Sequence, residues 1–480
     1  MRLIRASMVK NLIHYMKKNY KRIITILILV LVFFVTLLSY QDKSNKTKWL
    51  KDHLNQDFKN FLNKTLLYPL YLKKKIQLSN KKLLENHKKH EKMIFNIFEN
   101  GLYFKKIREK SLNVNNEQLD YFKWNLTFFE PGIFGKKPSF YIERNQDSVF
   151  IISGSGLLFK FSANDLEKDQ LKLLNIKTNL VEIIDDAKFY HNPALSIKDI
   201  LINKDYIYLS YSKKIKENCY NTSLLGAKIK ENNIKFEIIF DPKQCAKENP
   251  TSGGGRIVKF DDNNFFLTIG DYFDWTAPQN IDSIFGKIIL INLKDKNFKV
   301  VSMGHRNPQG LTFLNTENIL IETEHGPKGG DEINLINLNN SLRINNFGWP
   351  ISSYGEHYGG KKSKIAPLHK SHKDYKFIEP LLHFTPSIGI SEIINVDEFF
   401  NKNKDYYHFF VSALGYQNQI DEGDQSLHLI KLDRKNLKII ETKKERIILN
   451  ERIRDLHSKN KEILLSLESS PALGLIKNVN

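Results

Sequence analysis

Along most of the chain, apolar and polar positions alternate in short runs broken by turn-forming residues. FYIERNQDSVFIISGSGLLFKFSAND holds three such runs, with NQD and SGSG as turns. DILINKDYIYLSYSK, RIVKFDDNNFFLTIGD, KIILINLKDKNFKVV, YYHFFVSALG, SLHLIKLDRKNLKIIETKK and KEILLSLESS repeat the texture. Alternation of period two gives each strand one apolar face, so these runs predict half-buried strands. Sustained from 138 to 475 without intervening helical patterns, they predict an all-β sandwich, barrel or propeller. The size favours a propeller, whose blades need several strands each. The repeat is too degenerate for its period to be read off.

Ahead of that region the pattern changes twice. Ile23 to Leu38, IITILILVLVFFVTLL, is an uncharged apolar run that with Ser39 and Tyr40 approaches bilayer-spanning length. Arg2, Arg5, Lys10, Lys17, Lys18, Lys21 and Arg22 precede it, which keeps the start cytoplasmic. The expectation is a basic cytoplasmic tail over 1–22 and a single-pass signal-anchor over 23–40 in a bacterial inner membrane. Residues 41–480 then face the periplasm. A cleaved signal peptide competes, but the basic region is long and LLSYQDK lacks a small-x-small site. Over 41–125, Trp49, Leu54, Phe58, Phe61 and Leu62 recur at helical spacing among lysines, and a second Lys-rich helical pattern runs from Leu78 to Phe98. This predicts a basic helical stalk, either solvated or lying on anionic headgroups.

Composition adds a strong positive balance, 73 Lys+Arg against 53 Asp+Glu, net +20. The lysines are scattered and no zinc-finger, RNA-recognition or basic-zipper pattern accompanies them, so nucleic acid is not an expected partner. Cys219 and Cys245 flank NTSLLGAKIK and IKFEIIF, two strand patterns around the polar turn ENN. A hairpin there brings the two thiols within disulfide range, and an exported compartment permits the bond.

The candidate chemistry lies in residues 304–335, GHRNPQGLTFLNTENILIETEHGPKGGDEINLI. One loop sets His305, Arg306, Asn307 and Gln309 between two glycines. A second, EHGPKGGDE, places acidic groups beside Gly326 and Pro327, whose carbonyls suit a hard cation such as Ca²⁺. GHRNPQGL, then EHGPKGGDEINLI, then NNFGWP at 345–350, resembles the glucose/sorbosone dehydrogenase family. That resemblance implies a six-bladed β-propeller over 138–475 and a soluble sugar dehydrogenase that uses pyrroloquinoline quinone (PQQ). The substrate it implies is a sugar or a related alcohol or aldehyde; the electron acceptor stays unnamed.

The resemblance also implies site residues. Arg306 and Asn307 match a quinone-contacting pair, and Gly326 and Pro327 match the carbonyls holding the cofactor's calcium. Arg452 and Arg454 of NERIRDL match arginines on the cofactor carboxylates; at i and i+2 on a strand they face the same way. Glu332 and the Phe347 carbonyl fall on positions resembling a further calcium site. The departures are on the catalytic side. Where the family has H-x-G-G-R-L, this chain has TSGGGRI, with Ser252 at the base histidine and Thr251 before it. A serine hydroxyl is a very poor proton acceptor near neutral pH. A family lysine falls on Gly415, and a substrate-side glutamine on about Ala194. His305, His325 and His191 are alternative bases, whereas Asp271 and Trp349 read as structural. Two functions stay open: a quinoprotein sugar dehydrogenase with an altered base, or a catalytically inactive propeller that binds a ligand or protein.

Overall fold

The computed structural model describes residues 77–89, 103–114, 117–126 and 139–479, apart from 231, 248–249, 340–343, 361–362, 401–404, 416–423, 441–444, 470 and the His191 and Lys247 side chains. The expected tail, the apolar segment 23–40 and the stalk up to residue 76 lie outside the described residues. Among the described residues no helix is long and apolar enough to cross a membrane.

The strand patterns fold into six sheets, each a blade. Their first strands are Phe140–Asn145, Ile197–Asn203, Gly254–Lys259, Pro308–Leu314, Ile390–Asn395 and Ile453–Lys459, the inner strands of blades 1 to 6. Each inner strand touches the next, and the sixth touches the first, so they close a ring around one axis. Hairpin connections follow the predicted turns: Asn145 pairs with Ser148 across Gln146, which takes a positive φ of 44°. Apolar faces of adjacent blades pack together; Tyr208 and Phe265, for example, meet edge-on at 4.7 Å. Burial of such faces, not the turns, is what stabilises the ring.

The stalk prediction needs correcting at its C-terminal end. Residues 77–89 are helical, but Tyr103–Val114 and Glu117–Leu126 are strands, β1 and β2. Strand β2 pairs antiparallel with Ala472–Asn478, Tyr121 opposite Ile476, and so completes blade 6 with a segment from the far end of the sequence. The sixth blade therefore joins the beginning of the described propeller to its end, and the propeller starts before residue 138. In β2 the buried alternation Leu119, Tyr121 carries on to Lys123, whose ammonium meets the buried Glu451 carboxylate. A lysine in a core position disguised the period of two.

Arg256 of blade 3 ties blades 2, 5 and 6 to its own. Its Nη1 lies 2.8 Å from Asp199 Oδ1 and 2.7 Å from Asp455 Oδ1, and its Nε lies 2.5 Å from Glu392 Oε2. Those carboxylates accept backbone N–H bonds across blade boundaries: Asp455 from Ile142, Asp199 from Ile257 and Glu392 from Leu311. Burial pushes Asp199 up to about 7 and Glu392 well above the carboxylate range, with the Arg256 charge opposing both shifts. Satisfied in this way, the cluster is a structural plug.

Candidate active site

Above the plug, the inner strands begin with the same irregularity. In blades 2 to 6 the pairing of the first two strands shifts register at Ile197/Asp199, Gly254/Ile257, Pro308/Gly310, Ile390/Ile393 and Ile453/Asp455. A β-bulge releases a residue from the ladder and re-aims its side chain. In blades 2, 4 and 6 the released residues are Lys198, Gln309 and Arg454.

These groups meet the two predicted loops. Arg454 donates from Nε to Glu468 Oε1 at 2.6 Å and from Nη1 to Gln309 Oε1 at 3.1 Å. Gln309 Nε2 donates to Asn307 Oδ1 at 2.9 Å, which also accepts the Gly254 N–H at 3.3 Å. Arg452, its side chain 39% exposed, reaches the other oxygen of Glu468 at 3.4 Å and donates to the Leu414 carbonyl at 2.7 Å. Two guanidiniums thus share one buried carboxylate. The i, i+2 strand expectation does not apply here, because Arg452 precedes the strand Ile453–Lys459 and the bulge releases Arg454; the shared Glu468 is what brings the two together.

Arg306 is nearly buried. Its backbone N–H donates to Glu324 Oε2 at 2.6 Å, and its Nη1 donates to the carbonyls of His325 (2.9 Å) and Gly326 (2.6 Å). Its guanidinium lies 5.5 Å from the Trp349 ring centroid, and Trp349 Nε1 donates to Asp271 Oδ2 at 2.8 Å. Burial pushes Asp271 up to about 6 against the pull of Arg306. Trp349 and Asp271 therefore orient Arg306 as well as pack. His325 is drawn down to about 3 by desolvation and by the charges of Arg306, Arg454 and Arg452, so its imidazole is neutral at physiological pH. The three arginines and His325 belong to one electropositive funnel.

The expected calcium ligands divide into two levels. Gly326 stands in a tight turn, its N–H held by Asp331 Oδ1 at 3.1 Å, and a Cβ there would fall 1.8 Å from the Gly330 carbonyl oxygen. Its own carbonyl is turned towards Arg306. Glu332 lies deeper, opposite Glu324 in the strand pair, within a buried group whose His305, Glu322 and Glu324 could hold a metal ion. Phe347 joins that group by stacking its ring on His305 at 5.0 Å. Glu322 and Asn334 each keep a buried oxygen without a hydrogen-bond partner, and burial with the charge of Glu324 drives Glu322 and Glu332 well up. An oxygen-rich, charge-starved cluster fits a hard cation such as Ca²⁺.

On the catalytic side, half-buried Ser252 takes φ +56°, and its carbonyl accepts the Tyr272 N–H at 3.2 Å. Thr251 is exposed beside it. His305 bonds Ser302 Oγ at 2.8 Å and is fully buried, which removes it as a base. The His191 side chain lies outside the described residues. Gly415 has φ +79°, and a Cβ there would stand 2.7 Å from the Asp424 carbonyl oxygen as well as 2.3 Å from Gln425 Cγ, so the site leaves no room for a lysine. Cys219 and Cys245 form the expected disulfide, Cα–Cα 5.3 Å, at the end of the predicted hairpin. Lys198 and Glu468 were not singled out from sequence. A lysine inside the apolar run LSIKDILI was the available sign.

A family model for glucose/sorbosone dehydrogenase matches residues 196–476. The chain belongs to the glucose/sorbosone dehydrogenase family. Aldose sugar dehydrogenase YliI of Escherichia coli K12 is 29% identical over 187 residues, 34% of this chain and 48% of that protein. Quinoprotein glucose dehydrogenase B of Acinetobacter calcoaceticus is 39% identical over 152 residues, 25% of this chain and 30% of that protein. The chain thus spans about half or less of the curated relatives it matches. The crystal structure of the soluble E. coli aldose sugar dehydrogenase in its apo form superposes with a TM-score of 0.55 at 21% identity, covering 71% of this chain and 95% of that one. That likeness establishes the shared propeller fold.

Proposed function

We propose that this chain is a membrane-anchored, periplasm-facing quinoprotein of the sugar dehydrogenase kind, oxidising a sugar or related alcohol or aldehyde with PQQ and Ca²⁺. The convergence of Arg306, Arg452 and Arg454 on one funnel carries the reading. Such a set suits a polyanionic cofactor and is costly to keep without one. The aldose and glucose dehydrogenases among its relatives support the substrate class.

In this reading Arg452 and Arg454 bind cofactor carboxylates, while Arg306 and Asn307 lie against the quinone end. The Gly326 and Pro327 carbonyls would hold the cofactor's calcium. Glu332 and the Phe347 carbonyl hold a further, structural calcium. Bound PQQ would supply the two-electron acceptor, and positive charge held beside it favours developing negative charge on its oxygens. The apolar segment 23–40 supports the anchor, and the disulfide fits an oxidising compartment.

Ser252 favours a second reading, a propeller that binds ligand without turnover. Both are tested by producing residues 41–480 in an oxidising compartment with PQQ and Ca²⁺. The first reading expects a saturable spectral change and dye reduction with a sugar panel. No binding at micromolar PQQ would overturn it. Binding without turnover, with activity gained in Ser252→His, would establish the second.

A further inference from the structure

Lys198 is a bulge residue that neither the motifs nor the family assignment accounts for. It stands in blade 2 at the register shift equivalent to those that aim Gln309 and Arg454 into the funnel, and those two meet each other at 3.1 Å. Its ammonium donates to the Ala194 carbonyl at 3.0 Å, beside the loop that opens the blade. The side chain passes over Gly255, φ +119°, where a Cβ would come within 2.3 Å of Lys198 Cβ and 2.9 Å of its Cγ. The last glycine of TSGGG is thus the groove that lets a lysine reach the funnel.

Among the described residues, no carboxylate pairs with this amine. Arg256 of blade 3 already engages Asp199, Glu392 and Asp455. Arg454 of blade 6 shares Glu468 with Arg452. Tyr141 of blade 1 is a neutral phenol, pushed up to about 12 by burial.

We propose that Lys198 is a further anion-binding residue of the funnel, supplying an ammonium to a polycarboxylate cofactor. Burial and the Arg454 charge draw the unliganded amine down to about 8. An anion beside it stabilises the ammonium and moves its titration upward. Between the unliganded and liganded values, binding takes up a proton, so affinity falls as pH rises through about 8. The inference rests on the quinoprotein reading.

Calorimetry with PQQ and Ca²⁺ in two buffers of different protonation enthalpy tests it without any turnover. At pH 8.5 the wild type should take up roughly three-quarters of a proton per PQQ, and Lys198→Met none. At pH 7 Lys198→Met should bind about ten- to a hundredfold more weakly, the loss of one charge-assisted bond. Lys198→Arg, permanently charged, should retain affinity and lose the pH dependence. Equal affinity and equal proton uptake in wild type and Lys198→Met would overturn this inference and leave the quinoprotein reading standing. Absence of PQQ binding to the wild type would overturn both.

Discussion

Arg452 and Arg454 share Glu468, yet they are not equivalent. Arg454 is 17% exposed and braced by Gln309, whereas Arg452 is 39% exposed. The less hydrated charge interacts more strongly with a bound anion. Arg454→Gln is therefore expected to weaken PQQ binding by about a hundredfold, and Arg452→Gln by about tenfold, in absorbance titrations. The reverse order would show that the cofactor lies at the outer arginine. Motif residues such as Arg306 and Asn307 were legible because loop chemistry is written in consecutive positions. Lys198 was not, because a lysine on a strand reads as solvated until the bulge and Gly255 give it a direction.

At the scale of elements, strands and turns followed from alternation and turn residues. The bulges did not, since a register shift is a property of a strand pair. The closing hairpin β1–β2 shows the other gap. Its core position at Lys123 is tolerated only because Glu451, distant in sequence, neutralises it. Lys123→Met leaves the Glu451 carboxylate buried and unpaired, and should cost about 3–5 kcal/mol in urea unfolding. The double variant with Glu451→Leu should recover most of that loss. No recovery would mean that the pair is not the stabilising unit.

At the scale of the whole molecule, the sixth blade is shared between the two ends of the described propeller, so its edge is covered only when the N-terminal hairpin is present. A chain beginning at residue 77 should give a monodisperse species with one cooperative melt. One beginning at residue 127 leaves Ala472–Asn478 as an open apolar edge and should aggregate on size exclusion. A soluble, cooperatively melting 127–480 chain would show that the ring closes without β1 and β2. By itself, the sequence determined the all-β class, the strand texture, the hairpin that brings Cys219 and Cys245 together and the two polar loops that carry Arg306 and Gly326. Each of these is encoded in local spacing. Only the tertiary structure decided that residues 103–126 belong to the propeller, that Arg256 plugs its axis and that Lys198 faces its funnel. Those facts depend on contacts between blades, which period and composition along one strand do not contain.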